Sequence, residues 1–362
     1  MMNFLEITEN IKASNWNSIS SRLEREDLTL SDAAALLSPE AEKHLEDMAQ
    51  AAHRLTVKRF GKTIKLYAPV YLSNECINGC LYCGFNSKNK IERKTLSVDE
   101  AIAEAKAIID TGHRHILFVS GEHPKKVSVD YICDIVSKIK NFAASVSVEA
   151  VPMDFDGYSK LVKAGVDGVT LYQETYDREV YKKVHPYGPK SFFENRLSSI
   201  EAAAKAGMRF IGIGALLGLS DWRTEALNLI AHAKYLMKKY WKINITTSVP
   251  RIRDCASGFD MPTPISDREL VQMICALRLS LPDCGIIMST REPASFRDKV
   301  LPLGITQMSA GSVTSPGGYT SKEKTGEQFH LEDVRTPEGV AKMLKDAGYD
   351  PVWKDWSKEL IG

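Results

Sequence analysis

No stretch of this sequence stays apolar long enough to cross a bilayer. Its longest nearly uninterrupted hydrophobic run, Phe210 to Leu219, is ten residues with three glycines, whereas a spanning helix needs about 20. Neither charge is in excess: 47 Lys and Arg stand against 46 Asp and Glu in 362 residues, a formal net charge of +1. Without a basic stripe there is no electrostatic footprint for a phosphate backbone, so a small-molecule substrate is expected and nucleic acid is not. The start, MMNFLEITENIKASNW, has acidic residues early and no basic-then-apolar block, so it does not read as a secretory signal and a cytoplasmic protein is expected. Cysteines are few and odd in number: seven, three of them within eight residues. In a reducing compartment that clustering predicts metal ligation or redox chemistry in preference to disulfides. The remaining composition, 44% hydrophobic and 26% charged, is that of a globular chain with a full core.

Residues 1–62 read as an N-terminal helical extension. Ser38 is an N-cap with Pro39 at N1, and the helical pattern runs through LEDMAQAAHRLTVKRF to Gly61. Beyond it, short apolar or β-branched runs alternate with amphipathic stretches. Strands are predicted near 66–72, 115–120, 146–151, 168–173, 209–214, 243–249, 285–290 and 305–310. Helices are predicted over 97–110, 127–141, 154–164, 191–206, 221–240, 266–280 and 293–301. This order predicts an α/β fold, a (β/α)8 TIM-type barrel over 63–318. A C-terminal segment, 319–362, should pack on the barrel, with a helix capped by Thr336, Pro337 at N1 and an end near Gly348. A doubly wound open sheet is the rival. It would scatter the polar clusters that follow the predicted strands, whereas a barrel gathers them on its C-terminal face, where barrel enzymes do chemistry.

Cys76-Ile-Asn-Gly-Cys80-Leu-Tyr-Cys83 places three thiols on one loop after the first strand, with Gly79 and Gly84 relieving the backbone. Sulfurs so spaced can take three corners of one cubane. Four-iron clusters ordinarily have four cysteine ligands, so a loop supplying three leaves one iron open to a small molecule, and an open iron implies catalysis. The competing reading is a zinc site completed by a remote ligand. Zinc sites usually show two Cys-x-x-Cys pairs, or Cys with His at fixed spacing, and neither is present. Cys133, Cys275 and Cys284 sit among apolar residues and are expected in the core. Cys255, after the sixth strand, is the one further candidate ligand and is not expected to serve. Glu149, in VSVEAV, is an acid inside an apolar strand, costly unless it is paired or faces a polar mouth. Gly212 and Gly214 suit either a close approach to a ligand or tight barrel packing. Arg251 and Arg253 are substrate candidates or structural ion-pair partners, and the histidines show no ligand spacing.

Cys-x3-Cys-x2-Cys with an aromatic, Tyr82, before the last cysteine resembles the signature of radical S-adenosylmethionine enzymes. Over nearly the whole chain, YLSNECINGCLYCGF, SGEHP, YQETYD, GIGALLGLSDWR, STREP, SAGSVTSPGGY, EQF and PVWKDW are similar to the 2-iminoacetate synthase family, the tyrosine lyases of thiamine-thiazole synthesis. The resemblance implies a 4Fe-4S cluster on Cys76, Cys80 and Cys83 whose open iron chelates S-adenosylmethionine. One electron, from a low-potential donor, then cleaves that cofactor to a 5'-deoxyadenosyl radical. Tyr82, Gly121, Glu122, Gln173, Glu174 and Arg196 are implied as cofactor-binding residues: Gly121 and Glu122 at the methionyl ammonium, Gln173 and Glu174 at the ribose hydroxyls, Arg196 at the methionyl carboxylate. Glu149 joins them as a candidate. Ser289 and Arg291, at the seventh strand's end, are implied to hold the carboxylate of L-tyrosine. The implied reaction removes a hydrogen from the amino group of tyrosine and breaks its Cα–Cβ bond, giving 2-iminoacetate (dehydroglycine) and p-cresol, the former handed to thiazole synthase.

Two alternatives stay open. The tyrosine lyase of hydrogenase-cofactor maturation resembles this sequence in KVHPYGPK and SAGSVTSPGGY. That family carries a further cysteine motif in a C-terminal extension, and here no cysteine follows Cys284. A non-catalytic zinc or iron-sulfur protein is the other.

Overall fold

Ahead of the barrel, polar side chains set the helix starts in the computed structural model, which describes residues 16–321 and 325–354. Helix Trp16–Ser20 comes first. Thr29 and Asp32 form a reciprocal capping box on Leu30–Leu36, and Ser38 caps Pro39–Glu42. Leu45–Phe60 then runs to Gly61, whose φ of 65° turns the chain out of the helix. The pattern expected to run on from Ser38 is therefore divided between two helices. The part of the 1–62 extension before Trp16 lies outside the described residues.

All eight predicted strands are present: β1 (Thr63–Ser73), β2 (His115–Ser120), β3 (Ser145–Glu149), β4 (Gly168–Thr170), β5 (Phe210–Gly214), β6 (Asn244–Ser248), β7 (Gly285–Met288) and β8 (Gln307–Ser309). Each pairs in parallel with its successor, and β8 pairs with β1, closing the ring. The architecture is the expected (β/α)8 barrel, not an open sheet. Alternation along β1 shows how the sequence builds its wall. Ile64, Leu66, Ala68, Val70 and Leu72, at most 1% exposed, join the main core, while Lys65, Tyr67 and Tyr71 line cavities of the barrel interior. Outer helices start at side-chain caps where the sequence signals them, for example Ser97, Ser128, Asp154 and Ser266.

One strand is unexpected. β9 (Asp350–Val352) follows the helix Pro337–Asp346 and pairs with Thr63–Lys65, ahead of the stretch of β1 that meets β2. Trp353 then stands edge-on to His113, ring centroids 5.2 Å apart; the second tryptophan of the WKDW segment, Trp356, lies outside the described residues. Cys275 and Cys284 are buried, as expected. Cys133 is only half-buried, because the helix Val129–Ile139 turns Ile132, Ile135, Val136 and Ile139 inward and leaves Cys133 at the edge of that face.

The chain after β8 crosses the barrel mouth and is pinned there by charge. Arg297, fully buried in helix Ala294–Val300, pairs with Asp333 and donates to the Ser309 carbonyl at 2.5 Å. Arg335 completes the clamp with a forked pair on Asp298 at 3.0 and 2.9 Å. Among the described residues no helix is long and apolar enough to cross a membrane.

Candidate active site

The cysteine loop leaves the C-terminal end of β1 and is held on three sides. The Glu122 carbonyl accepts from the Ile77 N–H at 3.0 Å, and the Gly121 N–H donates to Ser73 at 2.8 Å. Along the other edge runs Val184–Lys190. Its Val184 and Tyr187 carbonyls accept from the N–H groups of Leu81 and Gly79 (3.0 and 3.2 Å), and the Lys190 N–H donates to Asn78 Oδ1 at 2.9 Å. From the C-terminal segment, the Gln328 carbonyl accepts from Gly84 at 2.9 Å. Glycine is needed at two of these approaches: a Cβ on Gly121 would lie 2.3 Å from the Glu75 oxygen, and one on Gly84 2.3 Å from that of Glu327. The relief expected of Gly79 and Gly84 is therefore steric, since neither residue has a positive φ, and at Gly79 it is the Tyr187 ring, 2.2 Å from a Cβ, that would be met.

Burial, then the neighbouring Cys76, pushes the Cys83 thiol up to about 12, and burial drives Cys80 higher still. Free, these thiols hold their protons; ligation to a metal would displace them. The Cys255 thiol donates to the Tyr82 carbonyl at 3.3 Å.

Beside the loop stand two buried ion pairs. Glu122 accepts from Arg196 Nη1 at 2.8 Å through one oxygen and from Asn78 Nδ2 at 2.8 Å through the other, while Arg196 Nε donates to the Tyr172 carbonyl at 2.8 Å. Arg196 is thus no surface residue of its helix. Glu174 accepts from Lys190 Nζ at 2.7 Å. Burial pushes Glu174 up, but Lys190 and Arg196 outweigh it and hold the carboxyl below its usual range. Glu174 is the one described non-glycine residue with a left-handed backbone, φ 70°, a strain that collects at functional sites. Gln173, its neighbour, turns to the Phe193 carbonyl, 3.4 Å from Nε2. Tyr82 donates its hydroxyl to His185 Nε2 at 2.7 Å, because His185 Nδ1–H is committed to the Tyr181 carbonyl at 2.9 Å. Burial, then Lys190 and Arg196, hold that imidazole neutral, its pKa lowered to about 2.

A pocket in the mouth is lined by Tyr67, Glu149, Tyr172, Ser289, Arg291 and Phe329, among others. The Arg291 guanidinium lies 3.4 Å from the centre of the Phe329 ring, and no carboxylate among the described residues pairs with it. Arg251 and Arg253 are used differently: both bind Glu292, which is 2% exposed, and Arg251 also holds Asp267 at 2.7 Å. Glu149 falls in the pocket with Ser289 and Arg291, apart from the Glu122 and Glu174 pairs. Burial, then Glu174, pushes its carboxyl up to about 7 against Arg291, Lys190 and Arg196. A Cβ on Gly214 would lie 2.4 Å from the Ser248 carbonyl oxygen and 2.8 Å from the Tyr172 ring, so barrel packing by itself requires that glycine.

Among the described residues, buried polar atoms without a partner at this end of the barrel include Ser120 Oγ at the end of β2, Gln173 Oε1 beyond β4 and Ser312 Oγ beyond β8. Unmet hydrogen-bonding capacity beside three thiols fits a polar cofactor and a cluster. Sequence reasoning overlooked Asn78, in the cysteine loop, and Lys190, set His185 aside with the other histidines, and gave Gln328 and Phe329 no role. The segments of the last four, KVHPYGPK and EQF, stood out only by resemblance, since their partners are brought to them by the fold.

Residues 70–230 match the sequence model of the Radical SAM superfamily, and 248–350 that of the Biotin and Thiamin Synthesis associated domain. Fold and site thus define a radical SAM enzyme, with a 4Fe-4S cluster and S-adenosylmethionine as its cofactors. The chain is 43% identical over 334 residues to the 2-iminoacetate synthase of Escherichia coli (strain K12), an alignment covering 92% of this chain and 89% of that protein. It belongs to the 2-iminoacetate synthase family. Among solved structures it is similar to the FeFe-hydrogenase maturase HydG from Carboxydothermus hydrogenoformans, at a TM-score of 0.89 and 37% identity over 98% of this chain and 86% of that one. Methylornithine synthase (PylB), at a TM-score of 0.75 and 23% identity, shares the fold.

Proposed function

We propose that this protein is a tyrosine lyase: it cleaves the Cα–Cβ bond of L-tyrosine to 2-iminoacetate and p-cresol, for the thiazole moiety of thiamine. The observation that carries this reading is the meeting, at one barrel mouth, of the Cys76-Cys80-Cys83 loop with a pocket holding a cation, Arg291, that no carboxylate among the described residues pairs with. The 43% identity to 2-iminoacetate synthase, against 37% to HydG, favours thiazole synthesis over hydrogenase maturation.

In this reading Cys76, Cys80 and Cys83 hold the cluster. Glu122, with Gly121, receives the methionyl ammonium, and Arg196, fixed by Glu122 and the Tyr172 carbonyl, faces the methionyl carboxylate. Glu174 and Gln173 serve the ribose, and Tyr82, oriented by His185, covers the cofactor. When bound, cluster and cofactor together supply hydrogen-atom abstraction. The protein's share is to hold tyrosine by its carboxylate on Ser289 and Arg291, a bidentate fork geometry, and to keep water out with the segment around Gln328, whose Oε1 accepts from the Tyr71 hydroxyl at 2.6 Å. The 63–318 barrel carries this chemistry, with 1–62 and 319–362 as flanking segments. We also place the enzyme in the cytoplasm, fed by a low-potential electron donor and passing its product to thiazole synthase. Anaerobic incubation with tyrosine, S-adenosylmethionine and a reductant tests the activity: p-cresol and 2-iminoacetate are expected, and their absence from cluster-loaded enzyme overturns it.

A further inference from the structure

We propose that Glu149 is the substrate-binding residue that receives the ammonium group of the amino acid held by Arg291, an inference that rests on the tyrosine-lyase reading. Glu149 ends β3, and Ser289 and Arg291 follow β7. In a closed ring of eight strands these stand four strands apart, on opposite walls, and both walls line the same pocket. The rest of the lining, Tyr67, Leu117, Tyr172 and Ser248 among others, carries no further charge.

The buried acids at this end of the barrel are satisfied by protein. Glu122 has Arg196 and Asn78, Glu174 has Lys190, Glu225 accepts from Thr175 and the Tyr176 N–H, and Glu292 has two arginines. The Glu149 carboxyl, on a half-buried residue, has no hydrogen bond or ion pair among the described residues. A carboxyl so enclosed and left without a partner is costly, and desolvation together with Glu174 already pushes it towards its neutral form. Arg291 is the matching cation, without an acid among the described residues. An α-amino acid supplies one carboxylate and one ammonium on the same carbon, so a single ligand completes both residues and adds no net charge. The ammonium favours the ionised form of Glu149, and that carboxylate can accept a proton from the nitrogen at which the hydrogen is to be removed.

The test is equilibrium binding to the anaerobic, cluster-loaded enzyme with S-adenosylmethionine and no reductant, so that nothing turns over. The ligands are tyrosine, 3-(4-hydroxyphenyl)propionate, which lacks the amine, and phenylalanine, which lacks the hydroxyl. Glu149→Gln is expected to weaken tyrosine about tenfold or more, leave the des-amino acid unchanged and keep the preference for tyrosine over phenylalanine. An unchanged tyrosine to des-amino ratio overturns the proposal. So does loss of the tyrosine to phenylalanine preference, which would put Glu149 at the phenol. Iron content checks that the variant is intact, and if Glu149→Gln does not load, Glu149→Asp, with the charge kept but set back, is expected to show the same selective loss in smaller degree. Wild-type enzyme that binds all three alike, or none, defeats the tyrosine-lyase reading itself.

Discussion

The two sides of the barrel mouth treat buried charge differently. Beyond β2 and β4, the buried charges among the described residues are matched within the protein: Glu122 with Arg196 and Glu174 with Lys190, and Asn78 ties both pairs to the cysteine loop. Beyond β6 and β7, three arginines stand close together; Arg251 and Arg253 converge on Glu292, and Arg291 rests on an aromatic ring. Matched charges hold their neighbours in place whether or not a ligand is present, whereas an unmatched cation facing an unmatched Glu149 is complete only with one. The difference therefore separates residues that build the site from residues that read the substrate, and it can be broken by experiment.

The largest effect is expected from removing the anion shared by two arginines. Glu292→Gln leaves Arg253 without its carboxylate and Arg251 with Asp267 alone. Breaking a buried pair from one side costs about 3–4 kcal/mol, so the urea unfolding midpoint should fall strongly. A variant as stable as the wild type would mean that this cluster is not structural. Arg291→Gln should do the reverse. Its stability should stay close to wild type, while KM for tyrosine rises roughly a hundredfold, about 2–3 kcal/mol for a charged, forked contact. If Arg291→Gln unfolds the protein and Glu292→Gln spares it, the comparison is upside down.

Much of this was legible beforehand. The strands were found because each is a short apolar or β-branched run set between amphipathic stretches, and the helix starts because Ser, Thr and Asp caps are local signals. The cysteine loop announced itself by spacing. β9 did not, since Asp350-Pro351-Val352 has no strand pattern of its own and pairs only because the preceding helix delivers it to β1. Nor could Arg251 and Arg253 be separated from Arg291: the residue that decides between them, Glu292, adjoins Arg291 in sequence and is paired with the other two in space. The role of Asn78 was hidden for the same reason, its partners lying 44 and 112 residues away.

Glu149 adds a dependence on pH. Its carboxyl, near 7 in the fold against 4.5 in the open chain, is raised. Its contribution is therefore most favourable below pH 4.5 and is lost as pH rises through 7. Set against Glu149→Gln, the wild type should be less stable at pH 8 by about 2 kcal/mol, the 3 or so implied by the shift being reduced because the side chain opens on a pocket. The gap should close as pH falls towards 5. Glu225, also pushed up to about 7 by burial, is present in both proteins and cancels. A gap independent of pH would deny that Glu149 is held unpaired.

The smallest effect tests the matched side. Asn78 carries no charge, but its amide joins the cysteine loop to Glu122 through Nδ2 and to the Lys190 backbone through Oδ1, each bond close to 2.9 Å or shorter. Asn78→Ala leaves all three cysteines and both ion pairs in place and removes only the link that fixes their relative position. Iron content should therefore stay at the wild-type level. S-adenosylmethionine, which in the proposed reading touches cluster and Glu122 together, should bind roughly tenfold more weakly, about 1.4 kcal/mol for two neutral or singly charged hydrogen bonds, while tyrosine binding, proposed to run through Arg291, should be unchanged. Loss of iron would instead make Asn78 a prop of the loop alone, and a matching loss of tyrosine affinity would show that the two sides of the mouth are one unit.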